Sequence, residues 1–330
     1  MAHSVSTSCR TAEQAAYNYS RKMAAAQDLG VRIGFAGGAT LTSIDQVRAD
    51  AQWAVQAGFN SYWVSHAFGI DPLVALPVVA HDAPGIELGT SVVPTVGRHP
   101  IAMAQLARSA QQACGGRFTL GVGPSHQVVV EPVYGEPWDQ PLQRTREFLD
   151  VLVPLCAGEP AASSGSQITG HATLNIPSEP VPVLLAALGP KMLELAGRVA
   201  TGTHVGQCGP RTIAEHTAPT INAAAQAAGR PAPRIIALVN LCVGKDPAAI
   251  RAAAAEGASF YGALPSYRSM LTREGINDPT DLVLAGSMDE IADGLAAYVD
   301  AGVTDLRLGI YAPDDDHGRT TRQALAEWVA

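Results

Sequence analysis

The sequence predicts an α/β fold of the (β/α)8, or TIM-barrel, class. Eight short apolar runs begin near residues 31, 59, 86, 117, 182, 202, 234 and 303, each separated from the next by at least one helical segment. Such alternation forces a parallel sheet. Runs such as VPVLLAA and IIALV are apolar on both faces, as strands are when helices cover one side and a barrel interior lies on the other. The length of 330 residues suits one barrel domain. A doubly wound sheet is the alternative. It is weakened because Gly34, Gly37 and Gly38 do not have the GxGxxG spacing of a dinucleotide-binding turn.

The elements follow in order. Residues 1–30 form an N-terminal extension, helical from Ala12 to Ala26, without the apolar core of a signal peptide. The body, residues 31–330, opens with the strand RIGFAGG. Thr42-Ser43 caps a helix whose apolar positions Ile44, Val47, Ala51, Ala54 and Val55 share one face, and Gly58 ends it. FNSYWVS is a strand, DPLVALPVVAHD a helix, GIELGTSVV a strand and HPIAMAQLARSAQQACGG a helix. RFTLGVG and PLQRTREFLDVLVPLCAG complete the fourth unit. Residues 159–180 break the rhythm as a polar insertion after helix four, read as a hairpin or lid. Three further strand–helix units follow. Residues 262–280, after strand seven, read as irregular and as a second cover for the site, with Tyr267 and Arg268 as lid candidates. A last helix, SMDEIADGLAAYVDAG, leads to the strand VTDLRLGIYA, and Asp314-Asp315-Asp316-His317 reads as a solvated turn.

Composition narrows the function. A net charge of −8 argues against a nucleic-acid partner, which needs a basic surface. No run is long and apolar enough to suggest a membrane span. The five cysteines are widely spaced and form no CxxC pair, which fits reduced thiols in a cytoplasm and no metal site.

In a barrel, chemistry sits at the carboxyl ends of the strands. There the sequence places Ser65 and His66, then Thr90 and Ser91, then Gly123, Pro124, Ser125 and His126, and then the turn Leu188, Gly189, Pro190, Lys191 and Met192. His126 and His66 can hold or pass a proton near neutral pH. The Gly189-Pro190 turn opens a helix whose first free N–H groups suit a phosphate. Arg98 and His99 read as helix-start chemistry.

The order of WVSHAFG, LGTSVVPTVGRHPIAMAQLA, GGRFTLGVGPSHQ, LLAALGPKMLELAG and GPRTIAEHTAPTI resembles the bacterial luciferase-like superfamily. Within it, the chain is similar to the actinobacterial oxidoreductases that use the deazaflavin coenzyme F420. The likeness runs from about Val31 to Tyr311 and includes PSYRSMLTREG and DAGVTDLRLG. It implies a cofactor across the strand ends and a non-prolyl cis peptide at Ser91–Val92 behind the deazaflavin ring. It implies that Gly123 to His126 line the ring and that Leu188 to Met192 meet the cofactor phosphate. A glucose-6-phosphate dehydrogenase relative has an aspartate–histidine pair where this chain has Ser65-His66-Ala67, which argues against sugar-phosphate oxidation. The implied activity is hydride transfer between the deazaflavin C5 and a small organic substrate, with His126 as acid or base and His66 assisting. The alternatives are an FMN-dependent monooxygenase and a non-catalytic cofactor-binding barrel. A homodimer built through helices is expected.

Overall fold

The computed structural model describes residues 25–38 and 40–330, so the expected helix from Ala12 lies almost wholly outside the described residues. Eight parallel strands close on themselves: β1 (Arg32–Gly37), β2 (Ser61–Val64), β3 (Glu87–Thr90), β4 (Phe118–Gly123), β5 (Val183–Ala186), β6 (Gly202–Val205), β7 (Arg234–Val243) and β8 (Asp305–Ile310). β8 pairs with β1, Arg32 opposite Asp305, and seals the barrel.

The outer helices are α1 (Ile44–Gln56), α2 (Pro72–Val79), α3 (Pro100–Ala113), α4 (Pro141–Ala157), α5 (Pro190–Val199), α6 (Ala218–Ala227), α7 (Pro247–Ala263), α8 (Pro265–Glu274), α9 (Met288–Asp300) and α10 (Asp315–Val329). Local chemistry starts them where the sequence predicts. The Ser43 hydroxyl accepts from Gln46 N–H at 3.2 Å and the Gln46 side chain returns to Ser43 N–H, a reciprocal cap for α1. Asp71 caps α2 through Leu73 N–H at 2.9 Å. His99 caps α3 through Ile101 N–H, which accounts for HP at that helix start.

Two segments differ from expectation. Residues 265–274 are helical rather than irregular. Pro265 stands at the first helical position, Gly275 closes the helix at φ +85°, and Met270 and Leu271 are buried. The polar composition masked those two end signals. Asp314 is likewise no loose turn: its carboxylate accepts from His317 N–H at 2.9 Å and starts α10.

The insertion forms a two-strand hairpin, Ala161–Ser164 against Thr169–Ala172. Its turn is gripped by Glu147 of α4, whose carboxylate accepts from the N–H groups of Ser166 (3.0 Å), Gln167 (2.7 Å) and Ile168 (2.8 Å). His99 also meets the Thr169 carbonyl at 3.0 Å. These contacts pin the hairpin to the barrel wall.

Side chains alternate across each strand, so every second residue faces the barrel interior. At the amino-terminal end Arg32, Glu87, Arg234 and Asp305 form an ionic plug. Above it Trp63, Leu184 and Ile236 pack together. The indole needs its neighbours to be glycine: a Cβ on Gly89 would lie 2.1 Å from the Trp63 ring. The indole N–H donates to the Ser61 hydroxyl at 2.8 Å, which satisfies the one polar atom of the ring. At the carboxyl end the same interior faces present Ala36, Ser65, Ser91, Gly123, Ala186 and Gly206, all small, so the barrel is open there. Among the described residues no helix is long and apolar enough to cross a membrane.

Candidate active site at the carboxyl ends of the strands

The small residues that end the strands floor a cavity of about 1380 Å³. Pockets for one drug-sized ligand run to roughly 300–1,000 Å³, so this cleft has room for a large cofactor and a second molecule. Its walls carry three cationic side chains, Lys191, Arg307 and Arg322, against one carboxylate, Asp50. The chain as a whole is anionic at −8.

Most of the residues singled out from the sequence meet here: Ser65, Ser91, Val92, Gly123 to His126, and Leu188 to Met192 all line the cleft. The Ser91–Val92 peptide is cis and non-prolyl. The Ser91 carbonyl accepts from the Ser65 hydroxyl at 3.0 Å and from Arg307 Nη1 at 3.1 Å, so two side chains hold the bulge from below. The Ser91 hydroxyl is buried and has no partner. Gly123 lets the strand end approach this bulge: a Cβ there would lie 3.0 Å from Val92 Cγ2 and 3.1 Å from Ala186 Cβ.

Gly189 is the N-cap of α5 with Pro190 behind it, and no side chain caps the helix. A Cβ on Gly189 would meet only open space. Free N–H groups at the start of a ten-residue helix, with Lys191 beside them, offer an anion a place to sit. The turn is steadied by His216, whose Nε2 lies 2.8 Å from the Leu188 carbonyl; a carbonyl only accepts, so that nitrogen carries the hydrogen.

His126 stands at the mouth, where its ring lies 5.4 Å from that of Tyr267 on α8. Tyr267 in turn meets Tyr261 edge-on at 5.4 Å. Burial holds the His126 pKa below the usual imidazole value, so the ring is neutral at pH 7. Burial also pushes the Tyr267 phenol upward, which keeps it protonated.

Two of the singled-out residues stand apart. Thr90 is fully buried; its hydroxyl donates to the Gly121 carbonyl at 2.8 Å and accepts from Gly121 N–H at 2.9 Å, so it ties β3 to β4 and lies outside the cleft lining. His66 lies outside the cleft lining, 3.9 Å from the Asp71 carboxylate, which also pairs with Arg98. Burial, opposed by Asp71 and aided by Arg98, keeps the His66 pKa low. The hairpin at 159–180 contributes nothing to the cleft, because Glu147 and His99 hold it against the outer wall, whereas Leu264 to Tyr267 and Pro279 do line it. Arg268 is exposed and does not.

Sequence reasoning missed the floor. Arg307 on β8 is 6% exposed and His204 on β6 is 5% exposed, and both line the cleft. Among the described residues no carboxylate bridges Arg307, its Nε has no partner, and neither ring nitrogen of His204 has one. The signal was present as a lone arginine in LRLG and a lone histidine in THVG, each inside an apolar strand. Among the described residues no group of three metal-ligating side chains is found.

The geometry agrees with comparisons to known proteins. The sequence profile of the luciferase-like monooxygenases matches residues 23–305. The 5,10-methylenetetrahydromethanopterin reductase of Methanolobus tindarius is 32% identical over 278 residues, covering 82% of this chain and 83% of that one. The F420-dependent glucose-6-phosphate dehydrogenase of Beutenbergia cavernae is 30% identical over 312 residues, covering 84% and 90%. Among solved structures, an F420-dependent secondary alcohol dehydrogenase with an F420-acetone adduct superposes with a TM-score of 0.76 at 20% identity, covering 91% and 99%. With the closed eight-strand barrel and the profile match over most of its length, this chain belongs to the luciferase-like monooxygenase family.

Proposed function

We propose that the protein is a coenzyme F420-dependent oxidoreductase, a reductase or dehydrogenase of a small organic substrate. The observation that carries this reading is one cleft joining an uncapped helix start at Gly189 to a floor of small residues and a neutral imidazole, His126. Two relatives that match most of the chain act as a methylenetetrahydromethanopterin reductase and an F420-dependent dehydrogenase, which supports it. The residues fit a flat deazaflavin: small side chains flooring the cleft, the Ser91–Val92 bulge, and a buried Ser91 hydroxyl without a partner that such a group would meet.

When bound, the deazaflavin supplies a hydride donor or acceptor at C5. The chain's own part is positional and acid–base. The α5 N-terminus and Lys191 hold the phosphate end. Ser65 and Arg307 fix the bulge, and Gly123 keeps the strand end close to it. Tyr261, Tyr267 and Leu264 wall the mouth against water, which strengthens every polar contact inside. His126, neutral at pH 7, accepts the hydroxyl proton of an alcohol as it is oxidised; in the reverse direction its protonated form returns that proton to the carbonyl product's oxygen. His66 is kept out of this step by its position against Asp71.

The reading includes a cytoplasmic homodimer. Its supports are four buried cysteines without disulfides and the exposed apolar side chains Phe68, Val74, Val78 and Leu106 on and around α2 and α3.

Fluorescence titration of purified apoprotein with F420 and with FMN tests the cofactor. F420 is expected to bind at least about tenfold more tightly, a difference of roughly 1.4 kcal/mol. Tighter binding of FMN would overturn the reading in favour of a flavin enzyme.

A further inference from the structure

Among the described residues, the buried interior of this barrel holds one guanidinium that no carboxylate neutralises. Arg322, the other cation deep in the cleft wall, pairs with Asp50 at 2.6 Å. Lys191 is exposed at the helix start. Arg307 has no such answer: Nη1 is spent on a neutral carbonyl, Nε has no partner, and the phenols of Tyr267 and Tyr261 are the groups whose electrostatics oppose its burial. Burial brings its pKa down to about 10, still far above neutrality, so the charge persists.

Beside it His204 presents two unpartnered ring nitrogens, with Trp63 edge-on at 4.9 Å. Burial first, and then the charges of Arg307 and Arg234, keep that imidazole neutral. A neutral imidazole can donate one hydrogen to an oxyanion without adding a second buried cation. Buried polar groups without partners are rare, and a buried charge is retained where something binds it. Both residues line the same cavity.

We propose that Arg307, backed by His204, forms an anion subsite in the cleft floor that receives the carboxylate of the organic substrate. The substrate class is then a small carbonyl or hydroxy compound that carries a carboxylate away from its reacting carbon. This rests on the oxidoreductase reading for the word substrate, while the subsite itself rests on the floor geometry alone. An anionic oxygen of the cofactor ring is the other source of the same chemistry, and the experiment separates the two.

Calorimetric titration of the apoprotein with benzoate and with benzyl alcohol uses two probes of like shape that differ in charge. Benzoate is expected to bind about 10- to 100-fold more tightly, the range of a charge-assisted contact. Arg307→Met abolishes that preference, and Arg307→Lys, which keeps the charge, restores part of it. The unfolding midpoint of each variant is read alongside, and the wild-type preference for benzoate needs no variant at all. Equal binding of the two probes by the wild type overturns the subsite. So does an Arg307→Met protein that keeps its preference for benzoate but loses F420 affinity tenfold, which assigns the guanidinium to the cofactor ring. Failure of the wild type to bind F420, with benzoate preference intact, overturns the cofactor reading and leaves the subsite standing.

Discussion

The two ends of the barrel interior treat charge in opposite ways. At the amino-terminal end Arg234 bonds both oxygens of Glu87, at 2.8 and 3.0 Å, and also reaches Asp305; Arg32 adds a contact to Glu87 at 2.6 Å. Thr304 donates to Asp305 at 2.7 Å, and Thr119 to Glu87. Every carboxylate of that plug is answered. At the carboxyl end Arg307 and His204 are buried, and among the described residues no carboxylate answers them. The difference teaches that paired buried charge closes a barrel, whereas unpaired buried charge marks the place a ligand completes. Conservation of fold stability at one face and of chemistry at the other is the general economy of this architecture.

The strongest way to break the comparison is at the plug. Arg234→Ala leaves Arg32 as the one cation of the plug against two largely buried carboxylates and is expected to destabilise the fold by about 3 kcal/mol, with the affinity of the remaining folded protein for cofactor unchanged. Denaturant unfolding and a cofactor titration read the two halves; a stable variant with weakened cofactor binding would erase the contrast. The reverse experiment is at the mouth. His126→Ala is expected to lower turnover by about 10²–10⁴-fold while cofactor affinity stays within a few-fold and the unfolding midpoint barely moves. Turnover that survives the substitution removes His126 from the reaction.

The pH profile sharpens the same point. The His126 pKa is lowered, so the neutral base is already formed below the ordinary imidazole value of 6.5. The kcat/KM for alcohol oxidation is expected to rise with pH to a plateau, with its midpoint below the ordinary imidazole value, and a midpoint above that value contradicts the assignment. The smallest effect belongs to a third charge, on the outer wall. Burial alone would raise the Glu147 pKa, but hydrogen bonds from Gln143 and from the N–H groups of Gln167, Ile168 and Ser166 hold it at about 2. Its stabilising contribution is therefore present above the ordinary value of 4.5 and is lost as pH falls toward about 2. Glu147→Gln is expected to cost about 1–2 kcal/mol and to raise amide exchange at residues 165–168, with turnover unaffected. A fall in turnover would mean that the hairpin reaches the site after all.

How much of this was legible follows from what sequence patterns encode. The eight strands were, because apolar runs and their end residues are local signals. So was the rim, since a strand followed by GPSH or LGPK places those residues at a barrel mouth whatever the neighbours do. The helix at 265–274 was hidden by its polarity, although Pro265 and Gly275 marked both ends. Arg307 and His204 were hidden for a different reason. They lie one layer below the rim, and inward or outward facing is decided by register against strands far away in the chain. Thr90 and His66 sit at strand ends too, yet Thr90 serves Gly121 on the neighbouring strand and His66 faces Asp71, the cap of the helix that follows, contacts that composition and spacing do not announce.

The seam between β1 and β8 joins almost the two extremes of the described chain, and Gln27 reaches the last carbonyl, that of Ala330, at 3.0 Å. Joining such distant segments costs on the order of 5 kcal/mol in chain entropy before any ladder bond rewards it. During synthesis the first stave must therefore wait, one edge bare, until the eighth has left the ribosome. The amino-terminal half is an unfinished cylinder for most of its time on the translating ribosome, and that interval is when a chaperone would have most to shield.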